Sequence, residues 1–566
     1  MQKFIDEIRA AIAAETDLPL EDLRLEHPRD PDHGDFAFPC FPLAKALRLA
    51  PPKIAAELGP KIGERLSNIT VAPMGPYLNF RVDRGALAEC VITEIKEQGA
   101  RYGGSNIGAG HKIVIDLSSP NIAKPMSVGH LRSTVIGAAI QRIHNLLGYE
   151  TVGINHIGDW GSQFGKLVAA IDRWGETVDL EGDPIHSLLA LYVRYHEEEE
   201  NDPELVEAGK EAFRELESGK DGKVRKTWKQ LTELSMREFD KIYSRLNVTF
   251  DEVRGEAFYE TYLEATIARI EAAGVTERSE GALIVDLEPI KKNMPPCLLR
   301  KTDGTTLYAT RDLAAAFHRW ELYEFDRCLY VVGGDQKLHF SQLKAVLQRM
   351  GIEWEPRVEH INFGMLRLPE GKMSTRKGRV VFLDDVLDRA AAEAKRIILE
   401  KNAELPDLDR VAEEVGIGAV VFNDLKRERI KDVEFVWEEV LSFEGDTGPY
   451  VQYTHARQCS IERKAAVKGE GTAAPDFSLL EDSGPLLLQL GKFPVVVESA
   501  ARNAEPSEVT NYLLTLCRET NSWSARNQVL GQEPALTAAR LAMSHACKIV
   551  VANGLALLGL SAPTEM

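Results

Sequence analysis

Cysteine is scarce and never closely paired. Seven residues (Cys40, Cys90, Cys297, Cys328, Cys459, Cys517 and Cys547) are scattered over 566 positions with no C-x-x-C spacing. This leaves no evident zinc site or disulfide framework, and the thiols are expected to be reduced and mostly buried. The near pairs, His455 with Cys459 and His545 with Cys547, read as packing. Long apolar runs are also missing: none approaches the ~20 residues needed to cross a bilayer, so no membrane segment is expected. Positive charge is in deficit, with 68 Lys and Arg against 87 Asp and Glu, a net charge of −19. That is the wrong sign for gripping nucleic acid with a general basic surface, so any RNA partner must be met by local patches. The opening MQKFIDEIRAAIAAE places acidic residues in an amphipathic helical pattern, which argues against a secretory signal or mitochondrial presequence and for the cytoplasm. There is no internal repeat, and the only low-complexity spacer, Val467 to Pro475, is short.

What is present is ample core material, 44% hydrophobic residues, in a chain too long for one core. The pattern predicts a multidomain α/β protein. Residues 1–105 read as a small α/β domain in which NITVAPMGPYLNFRV forms a hairpin. Residues 106–385 alternate strand and helix, with strands at HKIVIDL, TVGINHIG, ALIVDL, CLYVVGGD and HINFGML, which predicts a Rossmann-like, doubly wound parallel sheet. A charged helical insertion interrupts it at about 178–260, and its acidic run Glu197 to Glu200 reads as a solvated face. Residues 386–445 form a helical connection and 446–566 an all-α bundle.

The most informative stretch is DLSSPNIAKPMSVGHLRS, from Asp116 to Ser133. It joins a Val/Ile-rich strand to a helix through a turn rich in Ser, Pro and Asn. Such a turn presents helix N-terminal amides to anions at the carboxyl end of a parallel strand, and it points to ATP. Gly129 lets a nucleotide lie close to the backbone, and His130 in the first helical turn can donate to a phosphate or ribose oxygen.

Five segments, in order, and two more in the final third of the chain resemble the arginyl branch of the class I aminoacyl-tRNA synthetases. SSPNIAKPMSVGHLRSTVIG is similar to its HIGH signature, and NHIGDWGSQFG to a second arginyl segment. LYATRDLA and VVGGDQKLHF are similar to its amino-acid pocket, and KMSTRKG to its KMSKS loop. TGPYVQYTHAR and GLALLGLSAPTEM are similar to its anticodon-binding helices. The resemblance implies a two-step ligase: the carboxylate of L-arginine attacks the α-phosphate of ATP, releasing pyrophosphate, and a terminal hydroxyl of the arginine-specific tRNA then takes the arginyl group. Mg²⁺ is expected with the nucleotide, no metal is expected on the protein itself, and a monomer is expected.

The resemblance also implies residue roles. ATP would be met by Ser127, Val128, Gly129, His130, Met365, Lys372, Met373 and Ser374. Catalysis would fall to Lys124, His130, Lys372 and Arg376, and arginine would be met by Asp116, Asn121, Tyr308, Asp312 and Gln336. Guanidinium offers five donors in a fixed fork and needs acceptors in a plane. Asp312 is assigned to it, with Tyr308 and Gln336 shaping the cavity and Asn121 and Asp116 at the α-amino and carboxylate end. Asp312 also reads as a cap for the helix that follows it. His156, Asp159, Trp160 and Gln163 face the nucleotide or tRNA end, or form a structural turn. Two positions depart from the family signatures: Ser127 replaces the first HIGH histidine and Thr375 the second KMSKS lysine. The resemblance suggests Lys124 as the substitute cation. The departures also keep open a catalytically silent, tRNA-binding paralogue. Tyr450 and Tyr453 are candidates to stack on tRNA bases, although Phe443, Tyr450 and Trp523 are also expected to be partly packed.

Overall fold

The computed structural model describes residues 1–16, 18–28, 30–367, 381–442 and 444–566. Near the start, β1 (Phe36–Pro39), β2 (Ile69–Met74) and β3 (Tyr77–Val82) form an antiparallel sheet in the order β1-β3-β2. The expected hairpin is present as β2–β3, closed at Gly75, whose φ of +55° suits a tight turn.

The next strands are β4 (Lys112–Asp116), β5 (Glu150–Asn155) and β6 (Glu252–Val253). They are followed by β7 (Thr276–Ser279), β8 (Ala282–Val285) and β9 (Cys297–Arg300), then β10 (Arg327–Tyr330) and β11 (Val358–His360). A five-stranded, all-parallel sheet runs β11-β10-β4-β5-β6. The chain reverses direction of travel on either side of β4, so the crevice beyond its carboxyl end, at Asp116, is where such sheets bind ligands. ALIVDL does not join this sheet. Glu280 and Gly281, at φ of +49° and +86°, form a hairpin turn that folds β7 onto β8, and β7-β8-β9 make a separate antiparallel sheet. A short apolar run does not specify its partner, and here the turn decided it.

Between β5 and β6 stand the helices Pro184–Glu198, Pro203–Glu217 and Lys223–Arg245. The first two start on an aspartate cap followed by proline, with Asp183 accepting from the His186 amide and Asp202 from the Leu205 amide. The acidic run is solvated except at Glu199, which pairs with Lys166 at 2.7 Å.

The last third is helical. The helix Pro534–Leu557 corrects one expectation, because it is long and apolar enough by composition to cross a bilayer. Its Ala- and Gly-rich faces instead pack closely among neighbouring helices, as at Gly554, where a Cβ would stand 2.5 Å from Leu513. The same helix reaches back to the linker after the first domain: Asn553 Nδ2 donates to the carbonyls of Gly99 (2.9 Å) and Tyr102 (3.1 Å). The Tyr102 hydroxyl donates to the Leu490 carbonyl at 3.1 Å. All seven cysteines are free thiols, and all but Cys90 are buried. His455 Nδ1 donates to the Pro563 carbonyl at 2.9 Å, and the ring packs on Cys459.

Candidate active site

The helix Val128–Leu146 begins immediately beyond β4, with Ser127 as its N-cap. The Ser127 amide donates to His130 Nδ1 at 3.0 Å, which puts the ring proton on Nε2. Burial, together with the charge of Lys124, holds the His130 pKa below the usual imidazole value. The ring is therefore a neutral donor at pH 7. Val128 is buried and its amide donates to the Val381 carbonyl at 3.3 Å, while Gly129 lies exposed beside it. Ser127 bridges Phe382, and the Leu383 amide donates to Met126. The chain that follows KMSTRKG thus returns directly onto the turn. Lys372, Met373, Ser374, Thr375 and Arg376 lie outside the described residues. Met365 is 58% exposed, with its amide bonded to Asp432 Oδ1 at 2.8 Å.

One arginine ties this turn to the helices beyond the sheet. Arg132 is buried, with Nε 3.0 Å from Asp424 and Nη1 donating to the carbonyls of Gly364 (2.7 Å) and Lys431 (2.9 Å). Burial raises the Asp424 pKa to about 6 against the lowering effect of Arg132.

The amino-acid candidates gather around the helix Tyr308–Tyr323. Its N-cap is Leu307, and Asp312 lies in its second turn, so the capping reading of Asp312 is incorrect. Its carboxylate accepts from His339 Nε2 at 2.6 Å, and His156 Nε2 stands 3.7 Å from its other oxygen. Burial pushes the Asp312 pKa up, but the His339 hydrogen bond and the charges of His339, His156 and Arg319 bring it below the usual carboxylate value. Tyr308, one turn earlier and 57% exposed, lies with its ring 4.8 Å from His339. Gln336 is exposed at the start of the helix carrying His339. Asn121 pairs with Gly158 by a backbone bridge, so close that a Cβ there would meet its side-chain oxygen at 2.5 Å. Asp116 is buried, with Oδ2 accepting from Arg319 Nη2 (2.7 Å) and Oδ1 from Ser119 Oγ (2.9 Å).

In the second arginyl segment the residues divide. His156 faces Asp312, whereas Asp159 and Trp160 are buried and hold the insertion: the Asp159 carbonyl accepts from Trp228 Nε1 at 2.8 Å, and Trp160 meets Trp228 edge to face. Gln163 stands half-buried in the first turn of the next helix.

Sequence reasoning missed His339, Arg319 and Glu256. His339 is three residues beyond Gln336 on one helix, a spacing that could have revealed it. Glu256 has no sequence signal. Burial and the neighbouring Asp312 charge raise its pKa to about 7, against the lowering effect of Arg311. Asp312 thus stands close enough to Glu256 for its charge to favour the protonated form there. Among the described residues no group of three His, Cys, Asp or Glu side chains is placed to hold a metal ion.

A parallel sheet whose central strand ends in a capped Ser-Val-Gly-His turn, with that turn bonded to the chain after a lysine-rich signature, defines a class I aminoacyl-tRNA synthetase. Residues 91–437 match the family "tRNA synthetases class I (R), catalytic domain", 451–566 the "DALR anticodon binding domain" and 2–82 the "Arginyl tRNA synthetase N terminal domain". The chain belongs to the arginyl-tRNA synthetase family. An arginine–tRNA ligase of Clostridioides difficile (strain 630) is 45% identical over 554 residues, covering 97% of both chains. One of Halothermothrix orenii is 42% identical, covering 100% of this chain and 99% of its own. The Thermus thermophilus arginyl-tRNA synthetase structure matches with a TM-score of 0.81 and 28% identity over the whole of both chains. These relatives are ligases, which sets aside the silent alternative.

Proposed function

We propose that the pocket around Asp312 receives the guanidinium of arginine and that the turn from Asp116 to His130 receives ATP. The protein then forms arginyl-adenylate and passes the arginyl group to tRNA. The observation that carries this is the Asp312 carboxylate, oriented by His339, close enough to Glu256 for its charge to raise the pKa of that second carboxylate. Asn121 meets the α-amino and carboxylate end. Asp116 assists through the lone pairs that Arg319 and Ser119 leave open, since each carboxylate oxygen accepts twice.

Activation is an in-line displacement: the arginine carboxylate oxygen bonds to the α-phosphorus as the bond to the pyrophosphate oxygen breaks. Little covalent help is needed, so rate comes from alignment and from neutralising phosphate charge. His130 donates from Nε2, and Lys124 supplies the charge that Thr375 does not. Lys372 and Arg376 are further cations. The tRNA hydroxyl then attacks the carbonyl and AMP departs. Mg²⁺ is expected to accompany the triphosphate. We further propose a monomeric, cytoplasmic enzyme that meets the tRNA elbow with its first domain and the anticodon with its last bundle. There Tyr453, 45% exposed, is better placed to stack on a base than Tyr450, whose hydroxyl accepts from Asn521. Trp523 is buried in the core and Phe443 lies outside the described residues.

The test is arginine-dependent exchange of pyrophosphate into ATP, with and without tRNA, using lysine and citrulline as controls. Exchange with arginine alone is expected; exchange with citrulline at a comparable rate would remove the guanidinium pocket.

The pH dependence follows from Glu256. Arginine brings a positive charge and favours the ionised form, so below pH 7 its binding must first displace a proton. Affinity for arginine is expected to weaken by up to about tenfold per unit as pH falls below 7 and to level above it. Titration calorimetry of Glu256→Gln should lose this slope while retaining weaker binding.

A further inference from the structure

The helical insertion is an active-site element, and we infer that Tyr192 is the positioning residue for Lys124. The inference rests on the proposed role of Lys124 and deepens it. Three contacts place the insertion on the signature turn. The Ala123 amide, at a residue with φ of +60°, donates to the buried Ser235 hydroxyl at 3.0 Å. Next along the chain, Lys124 Nζ lies 5.4 Å from the centroid of the Tyr192 ring. From the same helix as Tyr192, the His186 ring stands 4.5 Å from Phe382, the residue that bridges Ser127. The insertion therefore touches both sides of the ATP site, through helices that begin more than fifty residues beyond the turn.

The choice of an aromatic partner has a chemical reason. A ring face attracts the ammonium through its quadrupole and carries no countercharge of its own. It also restricts a side chain with four rotatable bonds, so less entropy is lost when ATP arrives. Tyr192 is itself buried and fixed edge to face against His196 at 4.5 Å, so its plane is set before the nucleotide binds.

The experiment is a double-mutant cycle read by pyrophosphate exchange on the full chain. Tyr192→Leu, which keeps apolar bulk, is expected to lower kcat about fivefold to tenfold with the KM for arginine unchanged, and Tyr192→Phe to stay within about twofold of the parent. In a Lys124→Met background, Tyr192→Leu should add no further loss. An equal loss in that background would mean the ring serves only packing and would overturn the inference. So would full activity of Tyr192→Leu, or a Tyr192→Phe as slow as Tyr192→Leu, which would assign the effect to the hydroxyl. If Lys124→Met alone retains parental exchange, the reading of Lys124 falls and this inference falls with it. If Lys124→Met is slow and Tyr192→Leu is not, only the role of Tyr192 falls.

Discussion

Asp312→Ala is expected to weaken arginine binding by about 10³-fold, equivalent to about 4 kcal/mol, while ATP binding stays within about twofold of the parent. The size follows from what the carboxylate does. It is the acceptor for His339 at 2.6 Å and stands 3.7 Å from His156, so its removal leaves two imidazoles facing the guanidinium with no anion between them. A site built to pair a buried fork loses most when its acceptors vanish, and the same asymmetry lets such a site reject uncharged analogues without an editing step. Equilibrium dialysis with labelled arginine measures it directly. Asp312→Asn separates charge from shape, keeping an acceptor oxygen but no charge, and should fall between. Arginine affinity preserved in Asp312→Ala would move the guanidinium elsewhere in the crevice.

The second large effect is expected in the chemical step. Lys124→Met should slow adenylate formation about 10²-fold, in the range found when one donor to a developing charge is deleted, with arginine affinity unchanged. The position supports this split. Lys124 is close enough to His130 to lower its pKa, so the two donors serve one region of negative charge, whereas the guanidinium candidates Asp312 and Tyr308 gather around His339. Single-turnover measurement of adenylate, with arginine saturating, distinguishes a slower step from weaker binding. Parental turnover would return the compensating role to Arg376 or Lys377 of the signature loop.

Much of this was legible in the sequence, and the parts that were not share a cause. The strand ending at Asp116 and the helix opening at Val128 announce themselves because each is a local pattern: a buried Val/Ile run, then a capped helix of 3.6-residue period. The family signatures carried Asp312, Tyr308 and Gln336 to one helix pair. What could not be read were partners set by distant chain. Nothing near Asp116 foretells Arg319, 203 residues later, and nothing in the charged insertion foretells that Ser235 and Tyr192 come to rest on Ala123 and Lys124. ALIVDL was misplaced for a related reason: its apolar run was clear, but its strand partner was chosen by the turn at Glu280 and Gly281. Asp159 and Trp160, which the sequence left open between ligand and structural turn, secure the insertion: the Asp159 carbonyl and the Trp160 ring both meet Trp228.

The bond from Asn553 to Gly99 has a consequence for how the protein is made. The two residues are 454 positions apart. At ~5–20 residues per second, a ribosome needs about 20–90 s to bring the second within reach of the first. Throughout that interval the opening domain is free to fold on its own core, and its linker, which Tyr102 ties to Leu490, receives the bonds from Asn553 only when nearly the whole chain has emerged. A message cut short before the helix Pro534–Leu557 would therefore yield an opening domain whose linker never receives this clasp. The architecture thus makes completion of synthesis a condition for closing the molecule at this linker.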